Sequence, residues 1–184
     1  LKGTPVKTGG QDCHTAQEGA FTGNISAAML REVGCQYVIA GHSERRSYHH
    51  ETNADVNGKA AQAIASGLVP IICIGETLAE RDAGQAKAVV EKQLTESIPD
   101  GKGQFLLAYE PVWAIGSGRT PTAIDIADMH SHIMAVVSRR QGVPPEAVKV
   151  LYGGSVKASN AAEILATHGV SGVLVGGASL NADE

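Results

Sequence analysis

Long apolar runs are missing from this sequence. No stretch approaches the ~20 residues that span a bilayer, and the first residues lack the basic and apolar blocks of a secretory signal. No membrane partner is expected, and the expected location is cytoplasmic. An excess of basic charge is missing too: 15 Lys and Arg are spread among 19 Asp and Glu, for a net charge of −4. That leaves no basic stripe to neutralise a nucleic-acid backbone, so no nucleic-acid partner is expected. Cysteine is sparse. Cys13, Cys35 and Cys73 are odd in number, far apart and outside any Cys-x-x-Cys pair, a pattern of reduced thiols rather than of a disulfide framework or zinc site. Cys73 lies in an apolar run and reads as a packing residue.

What the chain has is enough apolar residue, 43% of 184, to bury one core without a staple, and the expectation is a single domain over residues 1–184. Five strand-length runs stand out: Tyr37 to Ala40, Val69 to Ile74, Phe105 to Tyr109, Val148 to Leu151 and Gly172 to Val175. Val6 to Cys13 is a weaker sixth. Helical spacing fills the gaps between them. It is clearest where Ile126, His130, Ile133, Met134 and Val137 share a face, with Thr122 placed to cap the start. Gly34, Gly67, Gly142 and Gly169 follow four such segments, where a helix stop favours a left-handed residue.

Strict alternation of strand and helix implies right-handed βαβ units and a parallel sheet. Periodicity alone does not separate a closed barrel from an open doubly wound sheet. The polar residues favour the barrel. His42, Glu76, Glu110, Gly153-Gly154-Ser155 and Gly176-Gly177 each stand just beyond the end of a different strand, as in a barrel that gathers its site from many loops. An open sheet concentrates its ligand residues at one switch point, usually with a Gly-x-Gly-x-x-Gly turn, and that turn is absent from the sequence.

Glu110 ends a strand and precedes Pro111, which holds its backbone extended with the carboxylate at the strand-end face. A lone Glu there is more often a solvated loop carboxylate. The next residues, from Pro111 through Trp113 to Gly118, form an apolar loop with a stiff proline at one end and glycines at the other, suited to closing over a reaction centre. His42 opens a segment that could start a short helix, where the positive helix end disfavours imidazolium and favours a neutral ring that donates a hydrogen bond. Taken alone, a histidine there is more often a structural hydrogen-bonder. His49-His50 and His130-x-His132 resemble metal ligands, but helical residues two apart point different ways and no carboxylate cluster accompanies them. No metal is expected. The two glycine pairs supply uncrowded backbone N–H groups at the last two strands, the usual place for a phosphate in a barrel, although each alone could be a tight turn.

These residues, in order, resemble a known family. Ala40 to Arg46 (AGHSERR), Cys73 to Glu76 (CIGE), Ala108 to Gly118 (AYEPVWAIGSG), Tyr152 to Val156 (YGGSV) and Val173 to Leu180 (VLVGGASL) are similar to the motifs of triosephosphate isomerases, as is Gly19 to Gly23 (GAFTG). The resemblance implies a (β/α)8 TIM barrel in the α/β class, present here incompletely as strands three to eight. It implies a cytoplasmic, homodimeric isomerase of glycolysis and gluconeogenesis that uses no cofactor and takes a small-molecule triose phosphate. By the same resemblance Glu110 is the base, His42 the electrophile, and Gly116, Ser155, Gly176 and Gly177 bind the phosphate. The implied reaction moves a proton between adjacent carbons through an enediolate.

Some positions depart from the family pattern. Ser117 stands for the lid's usual Thr, Arg119 for a common Lys, and Asn24 for an acid that usually pairs with the position of Arg45. The family's opening strand, with its Asn-x-Lys motif, has no counterpart in the sequence. The expectation is that the chain alone has little activity. An inactive fragment, or another phosphate-binding barrel acting as an aldolase or lyase, is the alternative. The second lacks a Schiff-base Lys at any visible strand end.

Overall fold

In the computed structural model, which describes residues 3–101, 103–115 and 120–183, strands and helices alternate as the periodicity predicts. They form two compact units, Leu1–Cys73 with Thr95–Leu106, and Ile74–Leu94 with Leu107–Glu184.

The first unit carries the parallel strands β1 (Gly9–Gly10), β2 (Tyr37–Ala40) and β3 (Val69–Ile74). The last two match the predicted spans residue for residue. β1 is confined to two glycines of the longer run expected there. Both lie close to their neighbours: a Cβ on Gly9 would stand 3.3 Å from the Tyr37 Cβ, and one on Gly10 2.5 Å from the Leu30 Cδ1, which would have to move. Helices α1 (Ala27–Glu32), α2 (Ser43–Tyr48) and α3 (Asn53–Ala65) connect the strands. Thr52 starts α3 with a capping box to Asp55, and Val56, Ala60 and Ala63, spaced four and three apart, turn its apolar face inward. Cys13, Ala27, Cys35, Val38, Ala63 and Leu68 form the core, with Leu30 against it. All three cysteines are buried and none forms a disulfide, and burial pushes the Cys13 thiol up to about 11, so it is an inert packing group.

Beside this core lies a cluster of two cations and two anions. Lys59, 6% exposed, donates to Asp12 at 2.6 Å and to Glu51, while Arg45 Nε pairs with Asp12 at 3.0 Å and with Glu51. Arg45 thus has two acids within its own unit, and the Asn at position 24 does not leave it unpaired. Burial works to raise the Glu51 pKa, but the hydrogen bonds from Lys59 and Arg45 outweigh it and hold the carboxyl below its ordinary range.

The second unit carries the parallel strands β4 (Leu106–Tyr109), β5 (Val150–Tyr152) and β6 (Gly172–Val173), with Tyr109 opposite Tyr152 and Tyr152 opposite Val173. Its helices are α4 (Leu78–Asp82), most of α5 (Ala86–Ser97), α6 (Ala123–Gln141) and α7 (Ala161–Ala166). Thr122 caps α6 and forms a capping box with Asp125, and Gly142 ends it at φ 64°. Ile126, Met129, His130, Ile133, Val136 and Val137 are its buried face, and α6 packs on β5. Met134, expected on that face, is only partly buried. β5 begins two residues later than predicted for a local reason. The Val148 N–H donates to the Pro145 carbonyl at 3.0 Å, so it closes a 3-10 turn and is not available to the sheet. Gly34, Gly67 and Gly169 have φ of 93°, 74° and 81°, as their positions after helices predict.

Candidate active site

His42 belongs to the first unit. β2 ends at Ala40, Gly41 turns the chain at φ 71°, and His42 caps α2. A Cβ on Gly41 would stand 2.4 Å from Val56 Cγ2, so the turn is closed by packing as well as by dihedral angle. The His42 Nδ1 accepts a hydrogen bond from the Glu44 N–H at 3.3 Å. An accepting Nδ1 carries no proton, and the Glu44 carboxylate stands 4.0 Å from the same nitrogen. Arg46 fixes the same turn from behind: it donates to the Gly41 carbonyl at 2.9 Å, to Asn53 at 2.7 Å and to the Cys73 carbonyl at 3.0 Å.

Glu110 belongs to the second unit and is 2% exposed. Its N–H donates to the Ile74 carbonyl at 2.7 Å, which extends the strand pattern to the residue that carries the carboxylate. A Cβ on Gly153 would stand 2.8 Å from Glu110 Cγ, so the side chain lies directly against the Gly153-Gly154-Ser155 turn. The Gly153 N–H donates to the Tyr109 carbonyl at 2.7 Å, tying that turn to the end of β4.

After Glu110, Pro111 leads into a 3-10 turn over Val112–Ala114. Glu76, fully buried beyond the end of β3, holds this turn from below. Its Oε1 accepts from the Trp113 Nε1 at 2.8 Å and the Tyr109 hydroxyl at 3.1 Å, and its carbonyl accepts from the Val112 N–H at 3.1 Å. Arg81 stacks 4.5 Å above the Trp113 ring and donates to Asp125 at 2.6 Å. Burial and then the Glu76 charge push the Tyr109 hydroxyl pKa far up, so it acts only as a donor.

Ser155 donates to the Ala114 carbonyl at 3.3 Å, which joins the turn after β5 to the 3-10 turn that follows Pro111. Gly176 and Gly177 follow β6, and a Cβ on either would meet nothing within 4 Å, so the backbone there is open to approach. Gly177 starts a 3-10 turn closed by Ser179, whose N–H and hydroxyl donate to the Gly176 carbonyl at 2.9 and 2.7 Å. Glu110, Ser155, Gly176 and Gly177 therefore lie in one unit. Gly116, with Ser117, Gly118 and Arg119, lies outside the described residues. Among the described residues no group of three metal-ligating side chains is assembled. His130 Nδ1 lies 3.0 Å from the Gly169 carbonyl and His132 Nε2 3.3 Å from the Lys87 carbonyl, so the two rings have separate partners.

The family model described as triosephosphate isomerase matches residues 1–184. This chain belongs to the triosephosphate isomerase family. It is 53% identical over 186 residues to the triosephosphate isomerase of Xanthobacter flavus, with 100% of this chain and 75% of that protein covered. It is 55% identical to that of Afipia carboxidovorans, covering 99% and 73%. A crystal structure of triosephosphate isomerase from Bartonella henselae superposes at a TM-score of 0.93 and 45% identity, covering 100% of this chain and 76% of the other. The fold is therefore an incomplete (β/α)8 barrel, as the strand-end residues predict. The chain spans about three quarters of these relatives. Glu76, Arg81 and Arg46 were given no role on sequence grounds. Glu76 sits in a motif shared with the triosephosphate isomerases, but its partners are 33 and 37 residues away and only folding reveals them.

Proposed function

We propose that this protein interconverts dihydroxyacetone phosphate and D-glyceraldehyde 3-phosphate, with Glu110 as the base and neutral His42 as the electrophile. The observation that carries the reading is the seat of Glu110: a buried carboxylate at the end of β4, packed against the glycine turn that leads to Ser155. Glu110 takes a proton from the carbon beside the carbonyl and returns it to the neighbouring carbon. His42 Nε2–H donates to the oxygen that gains charge, a role that needs the neutral tautomer its Nδ1 contact favours. Gly116, Ser155, Gly176 and Gly177 hold the phosphate through backbone N–H groups and a hydroxyl. Closure of residues 111 to 118 excludes water from the enediolate and keeps it from eliminating phosphate. The proton transfers balance without an oxidant, reductant or metal.

The protein works as a homodimer in the cytoplasm in this reading. Phe21, Ile25 and Met29 are exposed apolar side chains around Thr22, the residue that resembles the tip of the family's intersubunit loop. Sedimentation of the purified protein reads the dimer directly. For activity, the natural full-length protein is assayed with D-glyceraldehyde 3-phosphate in chelator-treated buffer. Formation of dihydroxyacetone phosphate is expected, and its abolition in Glu110→Gln. Turnover that needs an added metal or cofactor would overturn the mechanism.

A further inference from the structure

Glu110 is placed through its backbone as well as its side chain, and one contact to that backbone leads to a residue on a helix. Gly75, the first residue after β3, lies so close to Glu110 that a Cβ on it would stand 1.7 Å from the Glu110 carbonyl oxygen and 2.6 Å from the carbonyl carbon. Ile74, the residue before it, accepts the Glu110 N–H at 2.7 Å. The peptide groups on both sides of the Glu110 Cα thus rest on the 74–75 segment. Whatever sets the two peptide groups that flank the Gly75 Cα therefore bears on the backbone from which the carboxylate projects.

Both peptide groups are held by one side chain. Gln93, on α5, accepts the Gly75 N–H on its Oε1 at 2.7 Å and donates from Nε2 to the Gly75 carbonyl at 3.0 Å. Each backbone group selects one end of the amide, so only one orientation of Gln93 satisfies both. A two-point amide contact fixes rotation as well as distance, and it is made by a half-buried side chain 18 residues along the chain from Gly75.

We propose that Gln93 is a positioning residue for Glu110: its amide clamps Gly75, and Gly75 in turn fixes the backbone that aims the carboxylate. The inference rests on the reading of Glu110 as the base. Gln93 makes no contact with substrate in this scheme, so its loss changes the alignment of the base and leaves phosphate binding intact.

The test is Gln93→Leu in the natural full-length protein, read as kcat, KM and competitive inhibition by inorganic phosphate. A sub-ångström shift of a reacting group is expected to lower kcat by ~10-fold, with KM and phosphate inhibition within about twofold of the parent. Gln93→Glu keeps the acceptor for the Gly75 N–H and loses the donor to its carbonyl, so its kcat should fall between the two. It carries the same test should the leucine variant fail to fold. A folded Gln93→Leu, or in its place Gln93→Glu, with parental kcat overturns the proposal. So does a loss of turnover matched by an equal loss of phosphate inhibition, since that is general collapse of the site. Glu110→Gln is run beside them. If it retains turnover, the assignment of the base fails; if it is inactive and the Gln93 variants are unimpaired, only the clamp fails.

Discussion

Glycine on two sides lets Glu110 be buried and still project from a strand end, with Gly75 against its carbonyl and Gly153 against its Cγ. Such a seat leaves a shortened carboxylate no room to follow the proton. Glu110→Asp is therefore expected to lower kcat by ~10²-fold or more with KM nearly unchanged, because the carboxylate acts in the transition state and contributes little to ground-state binding. Steady-state kinetics check this, and a kcat within a few-fold of the parent would remove Glu110 from the role of base. His42 carries a second prediction at this scale. With Nδ1 accepting from the Glu44 N–H, nitrogen NMR at neutral pH should show one bare and one protonated ring nitrogen, the proton on Nε2. A doubly protonated ring at pH 7 would sink the electrophile role. Both residues were legible in the sequence, because each follows an apolar run at a strand end and each lies in a motif shared with the triosephosphate isomerases. Glu76 and Gln93 were not legible as supports. Their contacts join residues 18 to 37 apart, and no local pattern marks them.

Elements were legible in proportion to how locally they are determined. β2 and β3 are continuous Val and Ile runs with glycines or prolines near their ends, and their bounds come out as predicted. β5 starts late because a 3-10 turn takes the Val148 N–H, and β1 is confined to Gly9 and Gly10, which pair with Tyr37 and Val38. α6 carries all its own signals, a Thr cap, a periodic apolar face and a glycine stop, and it was read correctly. Its start has a second duty. Thr122 accepts the Asp125 N–H at 3.2 Å and donates to the Asp125 carboxylate at 2.6 Å, while that carboxylate also binds Arg81, the residue stacked on Trp113. The Thr122 hydroxyl is the main cause of the lowered Asp125 pKa. Thr122→Val keeps the shape and removes the hydroxyl, and it should destabilise the protein by about 1 kcal/mol. The Asp125 pKa should rise toward the ordinary carboxylate range in the same variant, which carbon NMR of the carboxyl reads. An unmoved Asp125 pKa would mean that the Thr122 backbone N–H, 2.9 Å from the carboxylate, and Arg81 hold it without the hydroxyl.

At the scale of the whole molecule, groups whose pKa values are displaced downward set how stability falls in acid, and they act in two windows. His130 is fully buried on α6 with Nδ1 at 3.0 Å from the Gly169 carbonyl, and burial lowers its pKa from 6.5 to about 4. Between those two values the unfolded chain takes up a proton that the folded chain refuses. The stability held by the neutral ring is therefore complete above pH 6.5 and drains away as pH falls toward 4, by up to roughly 3 kcal/mol for a shift of this size. Glu51 and Asp125 act lower down. Their folded pKa values are depressed, so their contribution is present above the ordinary carboxylate range and is lost as pH falls through the folded values. Urea unfolding at fixed protein concentration should thus give a plateau near neutrality, a decline between pH 6.5 and 4, and a further decline below it. His130→Asn retains an N–H donor for the Gly169 carbonyl and does not titrate, so it should be less stable than the parent at pH 7 yet flatten the middle stretch. If that stretch keeps its slope in His130→Asn, the proton uptake belongs to another group.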